Sequence, residues 1–186
     1  MPSYDQELLA AADLLLARSA GQRGKLAGAR IRRSISTSYY ALFHFLLNEA
    51  AVRTVGSHGF LLRRRRIFAR SLTHAGMKAA LEKIKGDRVD PSVADFLRDV
   101  DVAPGPVEPP PFAQTMAKAF LDAQAKRHDA DYDLNASLSE QDARLLRMRV
   151  DRAITAWLEA SGPADRDFKF ALCTLMLLKG GLRREN

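Results

Sequence analysis

The chain has 186 residues, 47% of them hydrophobic, which supports one folded domain around a buried core and excludes a disordered or fibrous chain. Its 29 basic and 22 acidic residues leave a formal charge of +7, which favours polyanionic partners without specifying a fold. The one cysteine, Cys173, lies in an apolar run; it excludes an internal disulfide framework and agrees with a reducing compartment.

No strand-like alternation competes with the helical periodicity, so the chain reads as all-α. The opening Met1-Pro2-Ser3-Tyr4-Asp5-Gln6-Glu7 is acidic where a secretory signal is basic, and Asp13 interrupts the apolar stretch from Leu8 to Leu16. A cytoplasmic location with no membrane span is expected. The first helix is predicted from Ser3, whose spacing to Gln6 fits a capping box, to a stop before Gly21, burying Leu8, Ala12, Leu15 and Leu16. A longer helix follows over residues 25–53. Its centre, Tyr39-Tyr40-Ala41-Leu42-Phe43-His44-Phe45-Leu46-Leu47, is apolar on nearly every side, as befits the central helix of a bundle.

After Gly56 a basic helix is predicted over 60–70, another over 73–85, and a short piece opened by Asp90-Pro91 over 92–100. The proline-rich stretch 103–111 cannot continue a helix and is expected as a surface loop. A helix over 112–128 comes next. Another starts after Asn135, where Ser137 and Glu140 repeat the capping-box spacing, and buries Leu146, Val150, Ala153, Ile154, Trp157 and Leu158. The last helix runs from Pro163 or Asp165 to Lys179 and stops at Gly180-Gly181. The bundle is expected over 1–162, with 163–186 a C-terminal helix and tail of the same domain.

From Phe168 to Leu178 that last helix reads apolar all round, far short of the roughly 20 residues that cross a bilayer. A helix of this kind needs cover on more than one side, so a homodimer is expected through it.

Arginines cluster at Arg30, Arg32 and Arg33, at Arg63 to Arg66 with Arg70, and at Arg183 and Arg184. Four consecutive arginines point all round a helix axis. Arg63, Arg64, Arg65 and Arg66 are candidate nucleic-acid contacts, given the affinity of guanidinium for phosphate, against the alternative of a solvated face. The four histidines are scattered without metal-ligand spacing, and no glycine-rich turn precedes a Lys-Ser or Lys-Thr pair. Neither a metal nor a nucleotide cofactor is expected.

The apolar stripe Phe112, Met116, Phe120, Ala123 continues at about 100° per residue onto Arg127 and nearly onto Asp131. A charged pair therefore stands where the periodicity calls for apolar side chains. Buried charge is costly unless paired, so the two residues are either an i, i+4 ion pair that closes the stripe or part of a site. Both are expected on the inward face, beside Tyr40 or His44. For His44, a hydrogen-bonded core histidine stands against a site role, with Tyr40 one turn before it as its neighbour.

Four strings, taken together, resemble one family. Arg33-Ser34-Ile35-Ser36-Thr37-Ser38-Tyr39-Tyr40-Ala41-Leu42-Phe43-His44, then Leu72-Thr73-His74-Ala75-Gly76, then Arg127-His128-Asp129-Ala130-Asp131-Tyr132-Asp133 and Ser139-Glu140 resemble, in order and spacing, the HEPN domains of small bacterial and archaeal proteins. The resemblance covers about residues 5–160. It implies a HEPN-like helical bundle, commonly dimeric, and a metal-independent endoribonuclease or an RNA-binding protein, often the toxin beside a nucleotidyltransferase-like antitoxin. Other members are silent binding modules that act by dimerisation and by binding protein or nucleotide.

The family's catalytic pattern is an arginine, a polar residue after it, and a histidine four to six residues further on from that polar position. Arg127 and His128 match the first two, and this assigns them as the catalytic candidates, with Asp131, Tyr132, Tyr40 and His44 in support. The sequence departs from the pattern where the second histidine belongs: Tyr132, Asp133 and Leu134 stand there. His128 is the residue left to move a proton.

Overall fold

Glycine and proline divide the chain into helices whose limits follow their caps. The structure, a computed structural model, describes residues 3–17, 24–98 and 105–178. Among them every regular element is helical: α1 (Tyr4–Ala17), α2 (Lys25–Val55), a 3-10 turn (Gly59–Leu61), α3 (Leu62–Ala69), α4 (His74–Glu82), α5 (Pro91–Leu97), α6 (Pro111–Tyr132), α7 (Glu140–Glu159) and α8 (Pro163–Leu175). None of these helices is long and apolar enough to cross a membrane. Arg183, Arg184, Lys179 and the Gly180-Gly181 stop lie outside the described residues.

Local chemistry explains most ends. The backbone N–H of Ser3 donates to Gln6 Oε1 at 3.1 Å, as the capping spacing predicts. At the end of α2, Gly56 takes φ +106°, and a Cβ there would meet Leu61 Cδ1 at 3.0 Å, so glycine suits the position on both counts. Thr73 caps α4 by accepting from Gly76 N–H at 3.1 Å, and Asp90 caps α5 by accepting from Ser92 N–H at 2.8 Å. The cap of α7 corrects the sequence expectation. Ser139 and Asp142 form the reciprocal pair, at 3.0 and 3.1 Å, in place of Ser137 and Glu140. α6 also runs one turn further than expected, to Tyr132, because a side chain from α2 satisfies its last carbonyls.

The chain folds into two compact units, and α2, α6 and α7 each contribute to both. The first contains Met1–Phe45 and Ala119–Thr155. Its core packs Leu9, Leu16, Ile35, Tyr39, Leu42, Phe120, Leu146 and Val150, all buried. Ser34 Oγ donates to Ala12 O at 3.0 Å between α2 and α1, and Arg147 reaches Asp13 at 3.0 Å between α7 and α1. Arg149 meets Asp122 at 2.7 Å between α7 and α6.

The second unit contains Leu46–Lys118 and Ala156–Asn186, and its core includes Met77, Leu81, Ile84, Phe112, Met116, Trp157 and Leu172. α8 belongs here. Phe168, Leu172, Cys173 and Leu175 of the helix and Met176 at its end are buried, while Phe170 remains 49% exposed and Leu178, beyond the helix, 39% exposed. The helix is therefore largely covered by its own unit, and it ends at Leu175, short of the Lys179 expected from the sequence. Leu158, expected inside, is 59% exposed, because it lies about 100° beyond Trp157 as α7 ends.

Lys169 is the surprise of that helix. It is 2% exposed, and its Nζ donates to Trp157 O at 2.5 Å and to Ala160 O, the carbonyls at the C-terminus of α7, where the helix dipole favours a cation. Burial, followed by the nearby Arg53, holds its pKa below the ordinary lysine value. Burial likewise pushes the Cys173 thiol up to about 12, which makes it an inert core side chain.

Candidate functional site

The stripe of α6 delivers Arg127 to the inner side of the first unit. Its side chain is 22% exposed and that of Asp131, one turn on, 20%. Arg127 Nε lies 2.6 Å from Asp131 Oδ2 in an ion pair, without the alignment of a full hydrogen bond. Nη2 donates to the Tyr40 hydroxyl at 3.1 Å and to the Tyr132 hydroxyl at 3.3 Å. The guanidinium carbon stands 5.6 Å from the Tyr40 ring centroid and 5.1 Å from that of Tyr132, within cation–π range of both. Arg127 is thus beside Tyr40, as the stripe geometry predicts.

Asp131 is anchored in turn. Its Oδ1 accepts from the Ser36 hydroxyl at 2.5 Å. Burial alone lowers the pKa of Arg127, but Tyr40, Asp131 and the hydrogen bonds to the two phenols outweigh it, and the net shift is upward. The cation is fixed in charge and in place. Around it the surface opens, since Tyr132 is 63% exposed and His128, its ring 5.2 Å from that of Tyr132, is exposed as well.

The residues missed in the sequence lie on α2. Arg32 reaches the end of α6 and donates from Nη1 to Asp129 O (3.1 Å), Ala130 O (3.2 Å) and Asp133 O (2.8 Å), and from Nη2 to Leu134 O (3.4 Å) and Ala136 O (2.8 Å). A cation there adds a charged donor to the carbonyls of the last turn and of the segment just after it, and complements the helix dipole. It fixes the turn that carries Asp131 and Tyr132. A signal for this existed: Arg32, Ser36, Tyr40 and His44 are polar residues spaced four apart along the helix.

That row drifts by about 40° at each step. Arg32, Ser36 and Tyr40 face α6, whereas His44 has turned toward α1, with its ring 4.9 Å from that of Tyr4. Burial pushes the pKa of His44 down, and Asp5 opposes the shift. The structure therefore brings together Arg127, Asp131, Tyr132, His128 and Tyr40, and places His44 in a separate aromatic contact.

Arg63, Arg64 and Arg66 are exposed on α3 of the second unit. Arg65 is turned inward, donating to Gly56 O at 2.8 Å and His58 O at 3.0 Å. Among the described residues, no group of three or more His, Cys, Asp or Glu side chains converges as a metal site. No protein-family model matches the chain, and no curated protein or solved structure matches it significantly.

Proposed function

We propose that the first unit is a HEPN-type RNA site in which Arg127 binds phosphate and, in the cleaving form, stabilises the pentacovalent transition state without a metal. The observation that carries this is the guanidinium of Arg127, held at the mouth of an inward stripe by Asp131 and flanked by two phenol rings. A planar cation fixed before the reaction needs no reorganisation as charge develops on the phosphate oxygens, and it can donate two hydrogen bonds to them. His128 is the neighbouring group suited to carrying a proton to or from the 2′-hydroxyl or the leaving oxygen. Asp131, Tyr40, Ser36 and Arg32 act by positioning.

The assembly belonging to this proposal is a homodimer that covers the exposed Phe170 of α8 and Leu178 just beyond it. A nucleotidyltransferase-like protein is the partner that the family resemblance implies.

A catalytically silent module that binds protein or nucleotide is the second candidate. It is favoured by the engagement of Nη2 and Nε of Arg127 within the chain, and by Tyr132, Asp133 and Leu134 at the positions of the family's second histidine.

Incubation of the purified protein with single-stranded RNA, with and without a chelator, separates the two. Cleavage that survives chelation and disappears in the Arg127→Ala, His128→Ala double variant supports the ribonuclease. Cleavage undiminished in the double variant, or abolished by the chelator, overturns that mechanism.

A further inference from the structure

Positive charge is unevenly placed in this chain. Residues 50–81 hold Arg53, Arg63 to Arg66, Arg70 and Lys78 but no acidic residue, so these seven account for the whole net charge of +7, and the remainder balances at 22 of each sign. Three of the seven are engaged nearby: Arg53 with Glu49 at 2.8 Å, Lys78 with Glu82 at 3.8 Å, and Arg65 with the carbonyls of Gly56 and His58. Arg63, Arg64, Arg66 and Arg70 are exposed on and just after α3.

Helical geometry arranges them. Arg65, Phe68 and Ala69 are half-buried and mark the inner face of α3, whereas Arg63, Arg66 and Arg70, spaced three and four apart, form a row on the outer face. Immediately before the helix, the rings of His58 and Phe60 stack, with centroids 5.6 Å apart and planes 14° from parallel, and Phe60 is 83% exposed. Arg65 holds the loop that carries this stack. The surface therefore offers a line of guanidinium groups and, at one end, an aromatic face open to solvent.

Two polyanion surfaces compete for such a patch. An interfacial membrane helix needs a continuous apolar face, but the exposed Leu62 and Ile67 lie about 140° apart on opposite flanks of the arginine row. Single-stranded nucleic acid needs what is present: cations tracking a phosphate backbone and an aromatic ring on which a base can stack. We propose that the turn and helix 58–70 form a docking surface for single-stranded RNA, with Arg63, Arg66 and Arg70 on successive phosphates, a base on Phe60, and Arg65 as the residue that positions the stack. The choice of RNA over DNA rests on the function proposed for the Arg127 site; the surface itself does not.

The test is fluorescence anisotropy of the full chain with a labelled 2′-O-methyl oligouridylate, which cannot be cleaved, so the outcome is independent of chemistry at Arg127. Wild type should bind with a steep salt dependence. Replacing Arg63, Arg66 and Arg70 by alanine should flatten the slope of log K against log salt by about 2, the release expected from three phosphate contacts on a single strand. The corresponding triple lysine variant should keep the slope, and it secures the conclusion if the alanine variant folds poorly. Phe60→Ala should weaken binding about tenfold or more while leaving the slope unchanged, as a lost stacking contact does.

Absence of binding by the wild type, or wild-type affinity and slope in the triple alanine variant, overturns the proposal. Equal affinity for a hairpin duplex overturns the single-strand assignment. Flotation with phosphatidylserine vesicles in the absence of oligouridylate binding assigns the surface to membranes and overturns it as well.

Discussion

Asp131 joins Arg127 to α2: one carboxylate oxygen lies 2.6 Å from Arg127 Nε and the other accepts from Ser36 at 2.5 Å. A carboxylate used from both sides orients the guanidinium as well as balancing its charge. The geometry of the site thus depends on a residue that touches no ligand in the proposed mechanism.

Asp131→Ala should leave a partly buried arginine without its counter-ion and destabilise the protein by about 1–3 kcal/mol. In a double-mutant cycle with Arg127→Ala the two changes should be non-additive by about 0.5–2 kcal/mol, measured by urea unfolding. Simple additivity would mean that the pair contributes no coupling.

Arg32→Ala should cost about 1–3 kcal/mol, since it removes a charged donor from several carbonyls at once. The loss should be local. Amide exchange should accelerate over residues 129–136 before it does so in the core of the first unit, and any RNA cleavage should fall with it. Unchanged exchange in that segment would contradict the clamp.

The pH dependence follows from His44, whose folded pKa lies below its ordinary value of 6.5, chiefly through burial. Above 6.5 the ring is neutral in both folded and unfolded chains and contributes nothing. As pH falls below 6.5 the unfolded chain takes up the proton first, so stability declines until the folded pKa is passed. Urea titrations should show this decline in the wild type, and His44→Gln should remove part of it. An identical pH profile in the variant would place the titration elsewhere.

Phe170→Glu should convert the proposed dimer to monomer without lowering the melting temperature of the isolated unit, because that side chain is 49% exposed within its own chain. Light scattering at micromolar concentration checks this. A monomeric wild type would remove the dimer from the proposal.

Much of the fold was readable in the linear chain because helices are local objects. Periodicity placed the long α2 with its apolar centre, and prolines and glycines marked the breaks. The stripe of α6 even carried Arg127 and Asp131 to the inner face, since position around a helix depends only on residue spacing. Cap identity was less readable at α7, where Ser137 and Ser139 offer competing starts and side-chain geometry selects the second.

What the order of residues could not reveal is which partners meet across helices. Arg32 reads as one of three neighbouring arginines in a basic cluster, and only the approach of α2 to the end of α6 makes it a clamp on backbone carbonyls. Lys169 reads as an interruption of an apolar run, and only the end of α7 supplies the carbonyls that accept from a buried ammonium. His44 shares a row with Tyr40, yet the 40° drift per four residues turns it toward Tyr4 and away from Arg127. Helix spacing determines the face on which a side chain lies, whereas the charge or carbonyl it meets there is set by packing between segments far apart in the chain.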